Sequence, residues 1–238
     1  MAAARSLAQV MADNKISLVY GGGTVGLMGE VARTLVSLSG PESVHGIIPA
    51  PLVKYERGVC LISNINIPRL QCVPFQKTWQ CVTHFSSKYR SNPVIRAGPD
   101  SEAASTHAID GMLPEYSVYG RTTVVKDMHT RKQMMAREVL DGAEGSGFLA
   151  LSGGYGTLEE LMEVVTWNQL GIHSRGVVVL NIEGYWDGLL DWVKGSVEAG
   201  FVGENNRGII AEAKTPEEAV RELREYKVSQ GRFKLEWG

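Results

Sequence analysis

Apolar and polar positions follow two rhythms along most of the chain. Leu7, Val10 and Met11 recur at helical spacing and predict a helix over residues 2–13. The run Ile16-Ser17-Leu18-Val19-Tyr20 is short and bounded by glycine, which predicts a strand. It enters Gly21-Gly22-Gly23-Thr24-Val25-Gly26, and a helix should follow to about Leu38. Val44 to Ile48 reads as a second strand, stopped by Pro49 and Pro51. The rhythm returns with strands at Thr122–Val125, Phe148–Leu151, Val177–Leu180 and Ile209–Ile210. Helices should fill Met128 to about Leu140, Leu158 to about Leu170 and Trp186 to Val197. A last helix should begin at Pro216, capped by Thr215, with Glu217 and Glu218 in its first turn. Strands alternating with helices predict an α/β fold, a doubly wound parallel sheet with helices on both faces. We read residues 1–238 as a single domain with an irregular insertion at about 57–118. That insertion has no clear period and holds five of the nine prolines and all three cysteines, Cys60, Cys72 and Cys81. Three readings of it stay open: an inserted excursion, a disordered loop, or a segment foreign to the fold.

Composition narrows the function classes. Hydrophobic residues make up 44% and charged residues 21% of the chain, an ordinary globular balance. The net charge of -2 offers no broad basic field, so nucleic acid is not an expected partner. Three cysteines without CxxC spacing argue against a disulfide scaffold or a zinc site, and no metal is expected. No signal-peptide pattern and no apolar run of spanning length is present, so we expect a cytoplasmic protein with no membrane contact.

The candidate chemistry lies in two strand–glycine–helix junctions. Unpaired N–H groups and the positive dipole end of a helix suit a phosphate, and glycine lets the backbone come close. Gly21, Gly23 and Gly26 match GxGxxG, but no acidic residue ends the next strand to hold ribose hydroxyls. An NAD-linked oxidoreductase is therefore disfavoured, and the first junction is open between a packing turn and a phosphate or ribose contact. The second junction is Ser152-Gly153-Gly154-Tyr155-Gly156-Thr157, followed by Leu158-Glu159-Glu160. Thr157 and Glu160 have the spacing of a capping box, with Thr157 as N-cap. Capping alone does not call for three glycines, and a carboxylate near an anion site suggests a catalytic use of Glu160.

Taken in order, Gly21 to Gly29, Met128-His129-Thr130-Arg131-Lys132, Ser152 to Glu160, Thr166 to His173 and Gly184-Tyr185-Trp186 resemble the Lonely Guy (LOG) family of cytokinin-activating phosphoribohydrolases. The resemblance covers residues 2–56 and about 119–228. It implies a Rossmann-like fold, usually homodimeric, without a cofactor. It also implies hydrolysis of N6-modified adenosine 5′-monophosphates, and in some members AMP, to free base and ribose 5-phosphate. Older labels call such proteins lysine decarboxylases, yet no convincing Schiff-base lysine for pyridoxal phosphate is present.

Carried over by position, the resemblance makes Glu160 and Arg131 catalytic. It assigns substrate binding to Lys132, Gly153, Gly154, Tyr155, Gly156, Thr157, Leu158, Glu159 and Thr166, with Gly22 and Gly23 from the first junction. His129, His173, Trp167 and Trp186 read as packing residues. Three departures stand out. Ser152 replaces the family's usual proline, the family's first, central strand is expected to be lacking, and the 57–118 stretch is longer than the usual link. The alternatives are a non-catalytic nucleotide or cofactor carrier on the same fold, and an inactive truncated homologue. Part of 57–118 is expected to be a translated intron or a lineage insertion.

Overall fold

The structure, a computed structural model, describes residues 1–56, 82–86 and 113–235. The chain opens with helix α1 (Ala2–Asp13), strand β1 (Ser17–Tyr20) and helix α2 (Gly26–Ser39). Strand β2 (Val44–Pro49) leads into α3 (Ala50–Glu56). Strand β3 (Val82–Ser86), the short helix α4 (Tyr116–Tyr119) and β4 (Arg121–Val125) come next. Then follow α5 (Met128–Leu140), β5 (Gly147–Ala150), α6 (Tyr155–Gln169) and β6 (Gly176–Leu180). The last elements are α7 (Asp187–Glu198), β7 (Ile210–Ala213) and α8 (Pro216–Arg224).

The strands form one sheet in the order β4-β2-β1-β3-β5-β6-β7. All pairings are parallel except those of β3, which runs antiparallel to both neighbours. Its His84 lies opposite Val19 of β1 and Phe148 of β5. The central position thus belongs to a segment of the expected irregular stretch. Val82, Thr83 and Phe85 are residue types that favour strands, a local signal outweighed on reading the sequence by the surrounding prolines. Residues 57–81 and 87–112 of the insertion, with its three cysteines and the readings made of it, lie outside the described residues.

Side chains alternate between two faces of the sheet. Leu18, Tyr20, Leu149, Leu151, Val178 and Leu180 pack with α1, α2 and α8. Phe148, Ala150, Val177 and Val179 point the other way, against Ala136 and Val139 of α5 and Leu161 and Val164 of α6. That period of two on strands buried on both faces is what a doubly wound sheet requires.

Two boundaries differ from expectation in ways that matter. Pro49 closes β2 rather than stopping it early, and Pro51 sits in the first turn of α3, where its missing N–H is not needed. Helix α6 starts at Tyr155, with Gly154 as N-cap and no side-chain cap. Thr157 is therefore not the N-cap, and Thr157 and Glu160 form no capping box. The glycines, read as loop, are compact enough to join the first turn. The cap expected at the last helix is present: Thr215 accepts from the Glu218 N–H at 3.2 Å.

Candidate active site

The chain builds the sheet outward from β1 to β2 and β4, then returns to add β5, β6 and β7. The direction of winding reverses between β1 and β5. In open α/β sheets the crevice beyond the carboxyl ends of the strands at such a reversal is where ligands bind. Both glycine junctions lie there, because Gly21 follows β1 and Ser152–Gly154 follow β5.

Helix α5 delivers the cation. Asp127 caps it by accepting the Thr130 N–H at 2.7 Å. That bond, then a contact with the Thr130 side chain, holds the Asp127 carboxyl below its ordinary range. One turn on, Arg131 turns inward and is only 3% exposed. Its guanidinium pairs with the Glu160 carboxylate of α6, which is 5% exposed. Two charges taken out of water persist only as close partners, since either alone would be strongly unfavourable. The other carboxylate oxygen of Glu160, Oε2, is enclosed and makes no hydrogen bond among the described residues. Such an atom, next to a crevice lined by Lys132, Met135, Ala136, Glu163, Val164 and Trp167, can accept a hydrogen bond or face a positive charge.

The first glycine junction packs directly on this pair. A Cβ on Gly21 would lie 2.8 Å from Arg131 Nη1. Gly22 has φ +75, and a Cβ there would come within 2.2 Å of Ile48. A Cβ on Gly29 would sit 2.0 Å from the Thr24 carbonyl oxygen, so the turn also lies flat on α2. In this turn Gly22 and Gly29 make close packing contacts, while Gly21 lies against the Arg131 guanidinium. Gly23 is buried beside them.

In the second junction, a Cβ on Gly153 would fall 2.1 Å from Thr157 Oγ1. Thr157 is fully buried under the loop, whereas Tyr155 is 96% exposed at the helix start. Gly154 and Gly156 sit at the N-cap and in the first turn, where N–H groups have no intrahelical acceptor. Leu158 is exposed.

Lys132 lies 2.5 Å from Glu159 and 3.2 Å from Glu163. Burial alone would lower its ammonium pKa, but the two carboxylates outweigh that and raise it above the ordinary lysine range. Thr166 is less close to the pair than the sequence motif suggests. It is exposed, about 120° around α6 from Glu160, and its hydroxyl donates to the Met162 carbonyl. His173 is a packing residue: Nε2 meets the Val164 carbonyl at 2.8 Å, and Nδ1 accepts the Arg175 N–H at 3.1 Å. Trp186 is core and Trp167 packs against it, as read from the sequence.

Gly21, Asp127 and Glu163 were not singled out as site residues. Asp127 was findable, since Asp before a helical run is an N-cap signal. Glu163, four residues after Glu159, was findable as a second partner for a lysine. Gly21 meets Arg131 through a contact between distant segments, which spacing does not carry. Among the described residues no group of three or more His, Cys, Asp or Glu could hold a metal ion. Among those same residues no helix is long and apolar enough to cross a membrane.

A Rossmann-like α/β sheet with two glycine turns and a buried Arg–Glu pair at the reversal of its winding defines the class. Comparison with known proteins then places the chain more closely. The family profile described as "Possible lysine decarboxylase" matches residues 28–223. A "Bifunctional cytokinin biosynthesis protein" of Fusarium pseudograminearum is 44% identical over 237 residues, 100% of this chain and 39% of that protein. The chain thus spans well under half the length of that relative. "Cytokinin riboside 5'-monophosphate phosphoribohydrolase LOG4" of Arabidopsis thaliana is 34% identical over 224 residues, 94% of this chain and 74% of the plant protein. A "Probable cytokinin riboside 5'-monophosphate phosphoribohydrolase LOGL2" of Oryza sativa subsp. japonica is 33% identical, covering 99% of this chain and 70% of its own length. The chain belongs to the LOG family.

Proposed function

We propose that the chain hydrolyses the N-glycosidic bond of adenosine 5′-monophosphates, N6-modified ones above all, releasing the free base and ribose 5-phosphate. The observation that carries the reading is the buried Arg131–Glu160 pair beside the two glycine junctions. The names of its relatives supply the reaction class.

The loop N–H groups of Gly153, Gly154, Tyr155, Gly156 and Thr157 hold the 5′-phosphate at the start of α6. As the bond to the base stretches, positive charge develops at the anomeric carbon. Glu160 lies where a carboxylate can stabilise that charge, or take a proton from the attacking water. Arg131 holds the Glu160 carboxylate by pairing with it and contributes to substrate binding. Lys132, held by Glu159 and Glu163, supplies positive potential next to the phosphate, and Leu158, Thr166, Gly22 and Gly23 complete the substrate contacts. A homodimer and a cytoplasmic location belong to the same proposal, as does the absence of a cofactor or nucleic-acid partner.

The test is incubation of the purified chain with AMP and with isopentenyladenosine monophosphate, following free base and ribose 5-phosphate. Equimolar release of both products is expected. Tight nucleotide binding without release would contradict hydrolysis and favour the carrier alternative.

A further inference from the structure

We propose that Tyr185 is a positioning residue that fixes the phosphate-holding peptide of the second glycine junction. The inference rests on the hydrolase reading above but adds a residue to which that reading gave no role. Tyr185 lies in the connection from β6 to α7, and its hydroxyl donates to the Gly153 carbonyl.

The consequence follows from the planar trans peptide. The carbonyl of one residue and the N–H of the next point in opposite directions. Holding the Gly153 carbonyl therefore also orients the Gly154 N–H. Tyr185 arrives from the end of β6, on one side of β5. The Gly154 N–H, opposite the Gly153 carbonyl, is thereby turned away from Tyr185. A peptide between two glycines has little intrinsic preference against flipping, because neither residue carries a Cβ. Something outside the loop has to choose its orientation.

The connection is built to keep Tyr185 in place. Glu183 and Gly184 take φ values of +53 and +74, a turn that brings the tyrosine back over the sheet. Asn181 is buried and clamps both ends of this turn. Its Oδ1 accepts the Trp186 N–H at 2.7 Å, and its Nδ2 donates to Asp187 at 2.7 Å and to Glu212 at 2.8 Å. The Trp186 ring meets the Tyr185 ring edge-on, centroids 5.2 Å apart at 88°. Half of the Tyr185 side chain remains exposed, so loss of the hydroxyl leaves the core intact.

The experiment compares the full chain with Tyr185→Phe, which keeps the ring and removes only the donor. Two probes are titrated by calorimetry, ribose 5-phosphate and free adenine, and steady-state kinetics are measured with AMP. One hydrogen bond is worth about fivefold in affinity. Ribose 5-phosphate binding should weaken by about that factor, and KM should rise in step. The affinity for adenine and kcat should stay as they were. Unchanged binding of ribose 5-phosphate, or equal weakening of both probes, would overturn the proposal. Failure of the unsubstituted chain to bind ribose 5-phosphate would overturn it as well. Binding without base release would defeat only the hydrolysis, leaving the Tyr185 comparison decisive.

Discussion

At the residue scale, Arg131 is kept on Glu160 by its surroundings. The guanidinium has a wall on one side, formed by the backbone of Gly21. A methyl group there would lie 2.8 Å from Nη1, the far end of a flexible side chain. Gly21→Ala should thus move the guanidinium off Glu160 rather than unfold the protein. A misplacement of about 1 Å can cost on the order of 100-fold in rate, so base release should fall by about that much. The melting temperature should change by only a few degrees; activity near the unsubstituted level would show that the wall is not needed. Glu160 and Arg131 could be picked out in the sequence because both lie in the motifs that carry the family resemblance. Their burial, their pairing and the glycine behind them could not. Those depend on β1, α5 and α6 meeting from three separate parts of the chain.

At the element scale most of the fold was legible, because strands buried on both faces read as apolar runs and helices as a longer period. Gly154 and Thr157 mark where this failed. A glycine-rich run looks like loop, yet α6 begins inside it, and Glu160 comes to lie in the second turn rather than at a cap. The second failure is β3. Its five residues, Val82–Ser86, carry weak local signal, and their place is decided by the unpaired edges of β1 and β5. A proline cannot donate to a ladder, and a central strand has no free side on which to tolerate one. His84→Pro, opposite both Val19 and Phe148, is expected to destabilise the chain by about 3 kcal/mol or more in denaturant unfolding. An unchanged midpoint would mean that 82–86 does not hold the two halves of the sheet together.

At the scale of the whole molecule, acid stability and activity report on the two buried polar centres. His173 sits between Phe148, 5.0 Å away ring to ring, and the end of α6. Burial, with Arg232 and Arg175 nearby, lowers its pKa to about 4. The folded chain then refuses a proton that the unfolded chain takes up near its ordinary pKa of about 6.5. Stability is therefore complete above about pH 6.5 and falls as the pH is lowered towards about 4, by roughly 3 kcal/mol in all. His173→Asn, although less stable at neutral pH, should lose less between pH 6.5 and 4 than the unsubstituted chain. Parallel pH profiles would place the acid sensitivity elsewhere.

Base release should depend on the negative charge of Glu160. Glu160→Gln keeps the size of the side chain and its capacity to bond Arg131 but removes the negative charge. Nucleotide affinity and base release from isopentenyladenosine monophosphate should be measured on the same preparation. The account predicts that binding survives while release falls by at least about 100-fold, the loss expected when the main electrostatic stabiliser of a transition state is removed. Base release at the unsubstituted rate would contradict it.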